Sequence, residues 1–394
     1  MADEDVQSIV LSYKYRLLPT RAQHRALERI LEDQRQLYNA ALQERIDCYR
    51  KTGGGRTYID QCKAVTEWRG DCPAAAETPA NLQRWTLKRL DDAYKAFFRR
   101  LKKRDGKAGF PRFRGRGRFN SFGFNEFSGI RFDGRRIRFN GLPSGLRVHM
   151  HRAMPNGRPL SCTFTRDGKG WSVSFQVRVP CAEKRQSVRS IGIDVGLTSL
   201  ATLSDGTAFP NPRHAKRAER ELRRRQRALA RCKRGSNRRN KVRAQVARLH
   251  RKVADTRSTH LHQVSADLVR RFDLIAVEKL NVKGMARGML AKSVHDASWG
   301  RLRQFIAYKA EKAGVQLIEV DPRHTSQTCP GCGRVAAKTL AQRTHECDCG
   351  CCLDRDHAAA RVILGKAAIG LGVHNVADCS ERAHANIICE GIAA

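Results

Sequence analysis

The stretch CDCGCCLDRDHAAARVIL, residues 347 to 364, sets four cysteines in six positions and runs straight into Asp354-Arg355-Asp356. Upstream, Cys329-Pro-Gly-Cys332 offers two thiolates from a tight knuckle, and Cys347-Asp-Cys349 offers two more after 14 intervening residues. Four sulfurs around one ion are the set that structural zinc prefers. The second half is Cys-x-Cys rather than Cys-x-x-Cys, so Cys351, Cys352 and His345 compete for the fourth position.

Zinc held by thiolates has no use for carboxylates, so the acidic step implies a second site with partners elsewhere. Asp194 in SIGIDVG follows an apolar run and precedes Val-Gly, which leaves backbone room beside its side chain. Glu278 in LIAVEKL ends another apolar run. An acid at a strand end is by itself more often merely solvated. With Asp356, however, these two make three carboxylates on separate elements, the arrangement that holds two hard divalent cations through oxygen.

The elements that must position these residues follow from periodicity. IVLSYKYRLLPT (9 to 20) alternates as a strand does, and Thr20 with Gln23 predicts a capping box opening a helix with apolar positions at Leu27, Ile30, Leu31, Leu37, Leu42 and Ile46. A second helix carries Leu87, Leu90, Tyr94, Phe97, Phe98 and Leu101. GKAGFPRFRGRGRFNSFGF then breaks it and interleaves Arg with Phe, leaving Phe113, Phe119 or Phe122 either to stack on bases or to fill a core. Asp-Gly at 133–134 and 167–168 lies between alternating runs and predicts two hairpins. From Ser190 onward, apolar strands at 274–277 and 315–320 alternate with helical segments, which indicates an α/β layer. The run from 213 to 252 holds 18 Lys or Arg against two Glu and reads as two basic helices around Gly235-Ser236-Asn237.

A length of 394 residues with 41% hydrophobic content accommodates two or three cores. The balance of 76 Lys+Arg against 38 Asp+Glu gives +38, and the basic run contributes less than half of it. Charge of this size is screened by a polyanion, with nucleic acid the usual one. No apolar run reaches the roughly 18 residues of a membrane span, and MADEDVQSIV is acidic rather than a basic leader. A cytoplasmic, nucleoid-associated bacterial protein is expected, with no membrane partner. Six of the 14 cysteines fall between Cys329 and Cys352, which favours metal over disulfides.

GIDVGLTSLATLSDG, AVEKLNVKGMAR, TSQTCPGCG and LDRDHAAARVIL, in this order, closely resemble the TnpB family of bacterial insertion sequences, the ancestors of type V CRISPR effectors. YKYRLLPT and GKAGFPRFRGRGRFNSF resemble it too, so the likeness spans nearly the whole chain. The resemblance implies an RNA-guided DNA endonuclease with a RuvC-type, ribonuclease H-like domain. It implies a zinc ribbon inserted in that domain and an N-terminal β-barrel-like wedge module holding a helical recognition insertion. The expected boundaries are wedge 1–19 and 105–185, recognition 20–104, nuclease 186–324 and 353–370, zinc ribbon 325–352 and a tail 371–394. Asp194, Glu278 and Asp356 would be the catalytic acids and ligands of two Mg²⁺, and Cys329, Cys332, Cys347 and Cys349 the ligands of one Zn²⁺. Guide RNA and target DNA would be the partners of a monomer. The family pattern selects Asp356 over Asp354, and residues two apart on a helix point about 200° apart, so one of the pair faces the metals. Asp354 is then the N-cap. Where the family carries Asn, this chain has Ala358. A nuclease-inactive RNA-guided regulator, or a small CRISPR effector, would share most of these features.

Overall fold

The computed structural model describes residues 7–103, 108–155, 157, 159–168, 170–339 and 341–370. The tail from 371 and the acidic start lie outside them. The chain divides into two compact units, one of residues 10–179 and one of the described residues on either side of it.

The first unit is a curled sheet carrying helices. Its elements are β1 (Ser8–Leu18), α1 (Arg21–Thr52), α2 (Tyr58–Asp71), α3 (Pro73–Ala76), α4 (Ala80–Lys103), β2 (Ser121–Phe124), β3 (Ile130–Phe132), β4 (Arg136–Phe139), β5 (Leu146–His149), β6 (Ser161–Asp167) and β7 (Gly170–Pro180). The strand order is β2-β6-β7-β1-β5-β4-β3, so β1 joins a sheet otherwise built after the helices. Both Asp-Gly turns close antiparallel hairpins, β3 to β4 and β6 to β7. The capping box at α1 forms in both directions, Gln23 N–H to Thr20 Oγ1 at 3.3 Å and Thr20 N–H to Gln23 Oε1 at 3.0 Å. Gly53 ends that helix in the left-handed region, at φ 68°, where a side chain would be strained. α2 buries only Gln61 and Val65 and so shows no clear apolar stripe, yet Thr57 and Asp60 form a second capping box.

Leu27, Ile30 and Leu42 of α1 meet Leu82, Leu87 and Leu90 of α4 and the sheet aromatics Phe124, Phe164 and Phe175 in one core. Each such side chain stabilises the fold by about 1.5–3 kcal/mol through burial. Phe119 and Phe122 belong to this core, at 2% and 0% exposure, so they are not available to stack on bases; Phe113, half exposed, is. The curl brings Phe124 of β2 within 5.3 Å of Phe139 of β4 although the two strands are not paired.

The second unit contains β8 (Ser190–Asp194), β9 (Ser199–Leu203), β10 (Ala208–Pro210), α5 (His214–Ala230), α6 (Asn237–Arg271), β11 (Leu274–Glu278), α7 (Val282–Met285), α8 (Ala291–Ala297), α9 (Trp299–Ala313), β12 (Gln316–Val320), β13 (Thr344–Glu346), β14 (Cys352–Asp354) and α10 (Arg355–Gly370). A five-stranded sheet runs β10-β9-β8-β11-β12, with β8, β11 and β12 parallel. α5 and α6 are the two basic helices, separated at Gly235 (φ 84°) and with Ser236 capping α6. On one sheet face Ile191, Ile193, Ile275 and Val277 pack with Leu261, Leu268, Leu302 and Ile306 of α6 and α9. On the other, Leu274, Ala276 and Val320 pack with Ile363 and Ala367 of α10.

That second face is close-packed at Gly192. A Cβ there would stand 2.1 Å from the Ala360 carbonyl and 2.8 Å from the Leu364 nitrogen, both helix backbone that cannot swing aside. Gly192→Ala is expected to destabilise the RNA-free protein by about 3 kcal/mol, the upper end of overpacking costs, because the whole helix must shift. Thermal denaturation measures it; an unchanged Tm would show that α10 does not bear on β8 as described.

Candidate active site and thiolate cluster

Alternation along β8 and β11 decides where two of the acids point. Gly192 faces α10, so Asp194, two residues on, faces the same side; Ala276 packs toward α10, so Glu278 does too. The parallel ladder pairs Ile193 with Val277, which sets Asp194 and Glu278 next to each other at the ends of adjacent strands. Asp356 lies in the first turn of α10, its Oδ2 only 3.7 Å from where a Cβ on Gly196 would stand. Sheet pairing and helix docking thus gather three carboxylates from distant parts of the chain.

Their proton affinities record the crowding. Asp194 is pushed up to about 8, first by burial and then by the charges of Glu278 and Asp356, against the pull of Arg355. Burial also raises Glu278, against a hydrogen bond from Thr325 and the charge of Lys366. Asp356 is raised by burial and by Asp354, with Arg343 and Arg355 opposing. A desolvated Asp194 facing the charges of Glu278 and Asp356, themselves raised by burial, is poorly stable as an anion alone and well suited to cations.

Asp354 is placed differently. Its Oδ1 accepts the backbone N–H groups of Asp356 at 2.9 Å and His357 at 3.2 Å, the N-cap geometry expected for it. Ala358 is a buried methyl without the polar group an Asn would bring.

Residues not anticipated from sequence hold the acids in place. Thr325, 4% exposed, donates its hydroxyl to Glu278 Oε1. Trp299 Nε1 donates to the Gly196 carbonyl at 3.2 Å, fixing the turn after Asp194. Lys366 Nζ donates to the carbonyls of Asp321 and Arg323. The TSQTCPGCG stretch carries Thr325 in plain view, but nothing local says that its hydroxyl reaches a strand end 47 positions earlier.

The thiols form a compact group between Thr325 and Asp354. Sγ atoms of Cys329 and Cys349 are 3.6 Å apart, those of Cys332 and Cys347 3.5 Å, and all four lie within 4.8 Å of one another. A tetrahedron with metal–sulfur bonds near 2.3 Å has edges of about 3.8 Å, so the group fits zinc. Burial opposes ionisation of Cys329, but the Cys332 N–H, the His345 ring, the Gly331 N–H and the Cys349 thiol outweigh it and lower the thiol to about 5. His345 and Cys351 form a second, overlapping group with Cys329, and His345 is buried at 1% exposure. Cys352 is exposed on β14 and belongs to neither group.

Residues 172–289 match the OrfB_IS605 family, described as "Probable transposase", and residues 299–363 match the "Cas12f1-like, TNB domain". Over 376 residues the chain is 32% identical to a Streptomyces pristinaespiralis protein named "Putative RNA-guided DNA endonuclease", covering 93% of this chain and 92% of that one. The chain belongs to the TnpB family. An Escherichia coli K12 relative within reach of the same family, "Putative RNA-guided DNA endonuclease InsQ", is 29% identical over 360 residues, 85% of this chain and 87% of its own. Among solved structures, the Cas12f1 chain of a complex with sgRNA and target DNA superposes with a TM-score of 0.55 at 13% identity, over 87% of this chain and 83% of that one, a likeness of fold. Residues 9–54 match a family described as a helix-turn-helix domain, although here they form one strand and a single unbroken helix. Among the described residues no helix is long and apolar enough to cross a membrane.

Proposed function

We propose that this TnpB-family chain is an RNA-guided DNA endonuclease of a transposon, cutting beside a short flanking motif by RuvC-type chemistry. The observation that carries the reading is the convergence of Asp194, Glu278 and Asp356 at adjacent strand ends and a helix start, each with its proton affinity raised. These residues are the ones that would hold two Mg²⁺. Bound there, the ions would activate water and neutralise charge on the scissile phosphate and the leaving oxygen. Thr325 and Trp299 keep Glu278 and the Asp194 turn in register, and the Lys and Arg excess binds the strand through its phosphates. The sheet and helices of residues 10–179 serve as the wedge and recognition parts that hold guide RNA and heteroduplex, and the unit beyond as the nuclease. All three acids are present, which favours a nuclease over a binding-only regulator.

Cys329, Cys332, Cys347 and Cys349 would hold one structural Zn²⁺. The segment is tied to the carboxylates at both ends, by Thr325 on Glu278 and by the direct passage from β14 into α10. Metal analysis of the purified protein should give about one zinc per chain, lost in Cys329→Ser or Cys332→Ser and kept in Cys351→Ser. Cleavage should stop with a chelator and return with Mg²⁺. A zinc-free and fully active protein would overturn the zinc assignment, and chelator-resistant cutting the two-metal one.

A further inference from the structure

Buried Arg45 meets Asp91 at 3.4 Å, and half-buried Arg257 meets Asp296 at 2.9 Å. Arg89 and Arg114 of the 10–179 unit have no such carboxylate partner among the described residues. Arg89 of α4 is half-buried, its guanidinium 4.7 Å from the Phe119 ring centre and 5.5 Å from that of Trp85. Its hydrogen bonds go to the Ser121 carbonyl at 3.1 Å and hydroxyl at 3.2 Å, neither of them charged. Arg114 sits over Tyr38, 5.5 Å from the ring centre, with its Nε buried and without a partner. The backbone of Arg114 is clamped, its N–H donating to Asn39 Oδ1 at 2.8 Å and its carbonyl accepting from Asn39 Nδ2 at 3.0 Å and Arg35 Nη1 at 2.8 Å. Tyr38 is 1% exposed, and its hydroxyl also lacks a partner.

Phe119 under Arg89 and Tyr38 under Arg114 are ring neighbours, their centres 5.9 Å apart, and Arg89 loses basicity to burial first and to Arg114 next. Like charges held together in a half-dry site, with no carboxylate between them, cost stability unless an anion completes them. Two planar guanidinium forks, donors with no acid among them, match the oxygens of a phosphate.

We propose that Arg89 and Arg114 form a binding site for one backbone phosphate of the guide RNA, in a looped or single-stranded part of it. The assignment rests on the RNA-guided reading above. Both guanidiniums are half-buried, so a phosphate must leave the regular cylinder of a duplex to reach them, and a looped strand can do so.

The test uses the full chain freed of RNA, as wild type, Arg89→Gln, Arg114→Gln and the double variant. Affinity for the labelled guide is measured across a salt series. Each single variant should bind the guide about tenfold more weakly, with a salt slope shallower by about 0.7, the value for one phosphate of a single strand. The double variant should be little weaker than either single one, because both side chains hold the same phosphate. Arg89→Lys should restore the slope but not the full affinity, since the point charge remains and the fork is lost. Thermal denaturation in inorganic phosphate against chloride at equal ionic strength should protect the wild type more than Arg89→Gln, and so reports on the site without any RNA. Unchanged guide affinity and slope in the double variant would overturn the proposal, and protection by inorganic phosphate alone would then assign the site to a free anion. A loss confined to single-stranded DNA would assign it to DNA. Failure of the wild type to bind the guide at all would instead overturn the RNA-guided reading.

Discussion

Asp194→Ala, Glu278→Ala and Asp356→Ala are each expected to lower guide-directed cleavage by about a thousandfold or more, the scale lost with a group that stabilises charge only in the transition state. Target binding should stay within about twofold, because the basic surfaces that produce it are untouched. Asp354→Ala should cost about 1 kcal/mol as a lost N-cap and leave cutting in place. The reverse pattern, with Asp354 essential and Asp356 dispensable, would reverse the assignment. Stability provides a second readout. Asp194 titrates near 8 in the folded protein and near the ordinary carboxylate value when unfolded. Between about pH 4 and pH 8 the folded state therefore retains a proton that the unfolded chain has released, and metal-free stability falls as pH rises through that window. Asp194→Asn removes this titration. Its metal-free Tm should be flatter with pH and higher than wild type at pH 8, by several degrees or more. Adding Mg²⁺ should raise the Tm of the wild type and barely move that of the variant. A wild-type Tm unresponsive to Mg²⁺ would show that these acids do not hold the ion.

Cutting should depend entirely on RNA. A chain of charge +38 binds any DNA in a salt-sensitive way, since counterion release does not depend on sequence. In an RNA-guided nuclease, sequence choice comes instead from base pairing to a guide, while the protein reads a short flanking motif and the shape of the heteroduplex. Ribonuclease-treated protein should bind a defined duplex and leave it whole. A guide matched to that duplex, added with Mg²⁺, should restore cutting at the matched site and nowhere else. Site-specific cutting by the RNA-free protein would indicate a conventional nuclease or transposase. No cutting with any guide, with the acids and thiols intact, would indicate a binding-only regulator.

Much of the site is legible in the sequence because its signals are local. An acid at the end of an apolar run, a capping box from Thr20 to Gln23, Asp-Gly between alternating strands and thiols at knuckle spacing all act within a few residues, and all appear in the fold. Asp354 as an N-cap is likewise a matter of three consecutive residues. Only the tertiary structure decided what depends on long-range register. The pairing of β8 with β11 brings Asp194 beside Glu278, and Gly192 lets α10 approach closely enough to bring Asp356 to Asp194. The same holds for the hydroxyl of Thr325 on Glu278, the turn held by Trp299, and the burial of Phe119 and Phe122 while Phe113 stays half exposed. The interleaved Arg and Phe from 112 to 122 have no period that separates core from surface, and the charge of Arg114 gains its meaning only from Arg89 across the core. Periodicity and capping chemistry specify elements one at a time, whereas a site made of side chains from several elements exists only once packing has fixed which faces meet.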